Sequence, residues 1–483
     1  MENKKDIISE DKIINLANQY QVKNITKNGF IQKVFKKNIF QKYSKMINFI
    51  LLEIIFLLLP KIIISEYSMD IKVNKIGYNQ IFSDEYIGQF PSNILVNELP
   101  LLWIKKIIYV DSLQNSIHLE WDNPIYNFSF MFSDLTSITS VKMNYELQNN
   151  SDMSYMFYNC YNLQNFAYYI NNTDNLVKIN MTNMFYNCQM LQNFNFSLNA
   201  SKFINVFTAN MFFNCQSLKT IIFDYNINVN DMTSMFFNCI SLEKINFEKI
   251  QTTYSINISY MFYNCSKLTT IISKSSNIKI SDMRYMFYNC GSLNKVNISY
   301  FIGSNSYINM ANCFYNCYNL SQIEGSFENL IISDTSKIFY NCVSLISLNF
   351  NPKQVKENIN MTKMFYNCEK INKITFTISE NNNNELNSYF YPNDLYYTFY
   401  NCKSLTSVEF NFFKTDYVKE ISYMFFNCKK LTHFSMKNSN FSNSLITNMK
   451  GMFQNCESLI TLDLSLFYVY FCLSIVKNLF INL

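Results

Sequence analysis

Thirteen of the fourteen cysteines in this 483-residue chain directly follow an asparagine, and twelve of them recur at a regular spacing: Cys160, Cys188, Cys215, Cys239, Cys265, Cys290, Cys317, Cys342, Cys368, Cys402, Cys428 and Cys456. Thiols in such numbers could bind a soft metal, form disulfides or act as nucleophiles. Metal binding has little footing. His118 and His433 are the only histidines, and no C-x2-C pair occurs. Cys313 stands four residues before Cys317, but it fills a place that other repeats give to Met, so it reads as a small hydrophobe. Disulfides stay open at this level, because stacked cysteines could reach the Cα separation of about 4.4–6.8 Å that a bridge needs. A buried row of free thiols packs equally well and is the reading adopted. Catalysis is not expected. There is no G-x-S-x-G, P-loop or G-x-G-x-x-G among seven glycines. His433 falls on an outward strand position, and His118 reads as solvent-facing ahead of the repeats. No cofactor and no metal are expected.

The elements that must position these thiols follow from their spacing. Successive members of this set of twelve lie 24 to 28 residues apart, except for one interval of 34 before Cys402. All twelve cysteines have an apolar residue three positions later. A degenerate thirteenth copy, "FMFSDLTSITSVKM", precedes them with Leu135 in place of Cys. Such a period marks a solenoid, in which each unit buries its apolar residues only by stacking on its neighbours. Residues 280–298, "ISDMRYMFYNCGSLNKVNI", represent one unit. Met283, Met286, Phe287 and Cys290 fall at i, i+3, i+4 and i+7, one face of a short helix. Ser281 and Asp282 supply N-cap chemistry. Asn289 sits where the helix must stop and tolerates a left-handed backbone. Leu293, Val296 and Ile298 then alternate with polar residues, as on a strand. One strand is expected in each unit, at 163–168, 191–196 and ten later places through 459–464.

The string M-F-x-x-C-x-x-L-x-x-I-x-F resembles the BspA-like (Treponema-type) leucine-rich repeat, in the variant whose units carry MF where others carry AF. The resemblance covers residues 125–467. It implies an α/β solenoid: a right-handed, leucine-rich-repeat-like array of about thirteen units, with parallel strands on one face and short helical turns on the other. It also implies a non-enzymatic surface protein that recognises or adheres to a protein or glycan. The residues placed to do so are the outward strand positions Glu243, Lys244, Asn294, Lys295, Lys373, Glu409 and His433. They differ between units while the inward letters do not. The alternative is a self-associating coat protein or a cytosolic scaffold. Oligomeric state is open.

Composition bears on location and partner. The chain is 49% hydrophobic and 16% charged, enough apolar material for a large core. Asn occurs 72 times and Arg only at Arg284. This skew matches an AT-rich protist genome, so Asn richness is set aside as a functional signal. The net charge of +5 arises from the basic segment 1–46. The rest is close to neutral, which argues against nucleic acid as a partner. Residues 47–64, "INFILLEIIFLLLPKIII", read as a signal anchor, or as a signal peptide if translation starts at Met46, with the array outside the cytosol. A buried helix under the cap is the competing reading and leaves the array cytosolic. Residues 66–124 read as a β-rich N-terminal cap, and 468–483 as an apolar tail that suits a truncated end. Thirteen N-x-[ST] sequons occur, close to the number such an Asn content produces by chance. The long interval holds an Asn-rich insertion, 377–396.

Overall fold

Every amide from Met283 to Cys290 has an assigned partner, and the assignment shows why the repeat folds as it does. Met283, Tyr285, Phe287 and Asn289 donate to the carbonyls of Asn309, Ala311, Cys313 and Tyr315 in the following coil. Met286, Tyr288 and Cys290 donate back to Met283, Tyr285 and Phe287, closing three consecutive turns. The Arg284 amide donates to Oδ1 of Asp282 at 3.0 Å. Half of the amides thus join neighbouring coils and half close turns, so no backbone donor is left unpaired.

This is not a helix. The expected short helices, capped by Ser281 and Asp282, are replaced by runs of turns. An α-helix would direct these amides to i−4 carbonyls of its own coil and leave none for the stack. The turn run also needs left-handed backbone twice per unit, at Tyr285 (φ 57°) and Asn289 (φ 59°). Both are the third residue of an i→i+3 turn, the position at which a type II turn takes positive φ. Asp282 ends a strand, Ile278–Asp282, rather than capping a helix. Among the described residues the one helical element is a 3₁₀ turn, Ile298–Tyr300.

The computed structural model describes residues 67–462, apart from 102–105, 113–115, 146, 171–177, 199–203, 222–226, 274–277, 304, 380–388, 409, 411–412 and 435–445. The segments 1–46, 47–64 and 468–483, and much of the 377–396 insertion, lie outside the described residues. Those described belong to one compact unit, Tyr67–Leu483.

Each coil carries strands on both sides of its turn run, giving two rows. The front row follows the turn, as the sequence indicates. It includes Asn165–Ile170, Asn193–Leu198, Lys244–Asn246, Lys295–Asn297, Lys373–Phe376 and His433–Phe434, all paired in parallel with their neighbours. It is not one unbroken ladder. Strand pairing divides it into five groups, and single amides such as Ile346 to Ser321 and Thr432 to Thr406 bridge two of the gaps. The rear row precedes the turn and was not anticipated. It forms two parallel sheets, from Ser151–Asp152 to Ile250–Gln251 and from Ile256–Asn257 to Pro392–Asp394. At the N-terminal side, Tyr67–Val73 pairs antiparallel with Ile117–Trp121 and with Ile138–Tyr145. Ile138–Tyr145 then pairs in parallel with Asn165–Ile170, so the sheet changes from antiparallel to parallel on that strand.

The core is a set of rows. Met286, Phe287, Cys290, Leu293 and their equivalents are buried in coil after coil. Thirteen phenylalanines, from Phe132 to Phe453, stack at centroid distances of 5.1–5.6 Å. In-register parallel strands place equivalent atoms about 4.8 Å apart, which brings like rings into contact.

Candidate recognition surface

The thiols belong to this interior. All twelve motif cysteines, and Cys313, are free and buried. Each of the twelve donates Sγ–H to a phenylalanine carbonyl of the preceding coil, as Cys290 does to Phe262 at 3.1 Å and Cys317 to Phe287 at 3.1 Å. Burial pushes these thiols up and keeps them protonated. A protonated, buried thiol is a poor nucleophile and a poor metal ligand. Among the described residues, no group of three or more His, Cys, Asp or Glu could hold a metal ion. Cys472 lies outside them.

The candidate face lies on the front row. Glu243, Lys244, Asn294, Lys295, Lys373 and His433 are exposed, and Glu409 lies outside the described residues. The strand register brings several of them into one line. Lys244 stands between Thr220 and Thr270, Lys295 beside Gln322, Lys373 between Ser347 and Ser407, and His433 beside Thr461. The line is polar throughout, and its lysines are separated by uncharged rungs, so like charges do not meet across adjacent strands. The Lys295 Nζ reaches Glu324 Oε1 at 3.1 Å. That pair borders a groove of about 650 Å³, lined also by Thr270, Asn294, Asn297 and Tyr300. Gly325 adjoins it with φ +79°, and a Cβ there would meet Ser299 Oγ at 2.3 Å. Only glycine fits that bend.

His118 is placed differently from its expected solvent-facing role. Its Nδ1 lies 2.6 Å from Asp70 Oδ1 and its Nε2 lies 3.4 Å from Glu120 Oε1. The hydrogen bond to Asp70 raises its pKa, against the opposing effect of burial. This clamp joins Tyr67–Val73 to Ile117–Trp121, where Asp70 and His118 face each other in register.

Three further rows escaped the sequence reading. The Asn of the Asn-Cys pair forms an amide ladder: Asn316 donates to Asn289 Oδ1 at 2.9 Å, and Asn341 to Asn316 at 2.9 Å. The residue that leads from the rear row into the turn caps that turn through an Asx bond in most coils, and over six successive coils it alternates Asp231, Asn257, Asp282, Asn309, Asp334, Asn360. The residue after the motif phenylalanine stacks into a half-buried outer aromatic ladder, from Tyr158 to Phe426. Each has a signal in the motif itself: a fixed Asn, an Asp/Asn before the turn, and a fixed aromatic.

Parallel coils, each with an in-register row of motif residues, define a leucine-rich-repeat β-solenoid of BspA-like type. Residues 112–231 match the BspA type Leucine rich repeat region (6 copies). Residues 179–301, 271–380 and 393–478, more than half the chain, match the family described as Mycoplasma protein of unknown function, DUF285, and the chain belongs to that family. No curated protein sequence matches it. Among solved structures it is similar to a leucine rich cell surface protein from Faecalibacterium prausnitzii, at 16% identity, TM-score 0.34, covering 74% of this chain and 84% of that one. It is also similar to a leucine-rich repeat protein from Bacteroides ovatus, at 18% identity, TM-score 0.33, covering 67% and 81%. An internalin from Listeria monocytogenes shares 13% identity, TM-score 0.26, with 62% and 80% covered.

Proposed function

We propose that the chain is a non-enzymatic recognition protein of the cell surface or secreted space, and that its front row binds a protein or glycan partner. The supporting observation is the division of labour along the coils. Buried positions repeat their residue type, whereas the exposed front-row positions change from Lys to Thr, Gln, Ser and His within one aligned line. A constant scaffold with a varied polar face suits selective recognition. The groove at Asn294, Lys295 and Glu324 is the natural centre of the site, because two exposed charges and several amides converge there. Among the described residues no helix is long and apolar enough to cross a membrane. The segment 47–64 proposed to export or anchor the array lies outside them.

The test is binding of the labelled full chain to a panel of intact cells and matrix coats, with and without prior protease or glycosidase treatment of the target. Charge reversal at Lys244, Lys295 and Lys373 together is expected to weaken binding. It should leave the melting temperature within a degree or two, since exposed substitutions typically cost less than ~0.5 kcal/mol each. Undiminished binding by the triple variant would remove the front row from the proposal. The enzyme treatment that abolishes binding identifies the partner as protein or glycan.

A further inference from the structure

Six consecutive rungs of the outer ladder are tyrosines: Tyr263, Tyr288, Tyr315, Tyr340, Tyr366 and Tyr400. Their ring centroids are 4.7, 4.6, 4.4, 4.5 and 4.6 Å apart, with planes within 11° of parallel. All six are half-buried, so their edges reach solvent. The inner ladder of phenylalanines packs as well without a hydroxyl. Phe213, Phe237 and Phe426 hold the outer position equally well, so stacking alone does not call for six phenols in succession.

We propose that this tyrosine run is a site of oxidative coupling, at which adjacent coils are joined by dityrosine bonds when a haem peroxidase and hydrogen peroxide act on the protein. Two adjacent phenols each give up one electron and the hydroxyl proton. Hydrogen peroxide takes up those two electrons and two protons and leaves as two waters. The two phenoxyl radicals join ortho carbon to ortho carbon, and the hydrogens on those carbons pass to the phenolic oxygens, restoring both hydroxyls. The geometry favours each step. Ring edges at the surface can be oxidised. The same half-buried setting lets each hydroxyl give up its proton to solvent. Parallel in-register strands hold like atoms about one strand spacing apart, which makes coupling intramolecular and removes most of its entropic cost. The product is a covalent staple between coils, within a fold whose described thiols are all free.

The experiment exposes the full chain to peroxidase and hydrogen peroxide, then maps linked peptides by mass after digestion of the monomer fraction. The expected result is peptide pairs lighter by two hydrogens that connect consecutive ladder tyrosines. The variant carrying Tyr288→Phe, Tyr340→Phe and Tyr400→Phe leaves no two phenols adjacent in the run and should lose these links. Tyr340→Phe alone should lose only the links to Tyr315 and Tyr366, which keeps the test decisive if the triple variant folds poorly. Links confined to other tyrosines, such as the exposed pair Tyr78 and Tyr109, or links only between chains, would overturn the proposal. So would peptide pairs assigned to the substituted rungs that persist undiminished in the variant lacking those phenols.

Discussion

The asparagine of the repeated Asn-Cys pair does two things with one side chain in most coils. It accepts a left-handed backbone, as at Asn316 (φ 60°), where a Cβ is costly and asparagine is among the few residues that tolerate it. Its amide also lies in a ladder, donating to Asn289 and accepting from Asn341. Two substitutions separate these roles. Asn316→Gly keeps the backbone and removes both amide bonds, and is expected to cost ~1–2 kcal/mol, since a net hydrogen bond contributes ~0.5–1.5 kcal/mol. Asn316→Ala should cost ~1 kcal/mol more, from the left-handed strain. Urea unfolding followed by circular dichroism checks both. If glycine proves neutral, the ladder contributes nothing and the backbone alone explains the residue. Sequence reading linked this asparagine to left-handed backbone but attributed its abundance to codon bias. The ladder was hidden because amide-to-amide contact depends on register between coils 25 or so residues apart, which one unit does not display.

At the level of the element, the repeat's apolar spacing was legible and its meaning was not. Met283, Met286, Phe287 and Cys290 face inward on a helix, and they also face inward on a run of turns, so periodicity cannot distinguish the two. What separates them is the demand of neighbouring coils for backbone donors, a property of the stack. The rear strands were missed for a related reason: they are short, as in Lys178–Asn180 and Ile227–Val229, and carry too little alternation to stand out. The Asx residue at their ends shows how like charges are managed. Amides separate carboxylates along the row until Asp394 and Glu420 stand in successive coils. There burial, and then Glu420, raise Asp394 from 3.8 to about 6. Glu420 is held as an acceptor by Asn448 Nδ2 at 3.0 Å and the Ser422 amide at 3.0 Å. A raised folded pKa means that the associated stability is fully present below the unfolded value and is lost as pH rises through the folded one. Stability contributed here therefore falls between pH 3.8 and about 6. Asp394→Asn, which copies Asn360 one coil earlier, should melt higher than wild type at neutral pH and match it below the carboxylate range. Melting curves across that window decide; an equal difference at both ends would mean that charge is not the cause.

For the solenoid as a whole, each coil touches only its neighbours, so stability should be local along the array. The front row supports this, since it is already divided into five hydrogen-bonded groups, whereas the turn-run amides and the buried rows pass from coil to coil along the array. Continuity therefore rests on the turn-run amides together with the buried side chains, above all the phenylalanine ladder. Phe287 stacks on Phe262 at 5.5 Å and on Phe314 at 5.3 Å, and it is fully buried. Phe287→Ala removes both contacts and opens a cavity, a change that typically costs ~3–5 kcal/mol. In a chain of nearest-neighbour interactions that cost stays near the altered rung. Native-state hydrogen exchange should then show the largest loss of protection in the coils of Phe262, Phe287 and Phe314, and near-native protection at Phe185 and Phe399. The exchange of amides that join coils, such as Phe287 to Cys313 and Asn289 to Tyr315, is the direct readout. Uniform loss of protection from Met153 to Met452 would mean that the coils unfold as one unit. In that case the free energy that holds the array together would lie in something longer-ranged than the rows of like residues.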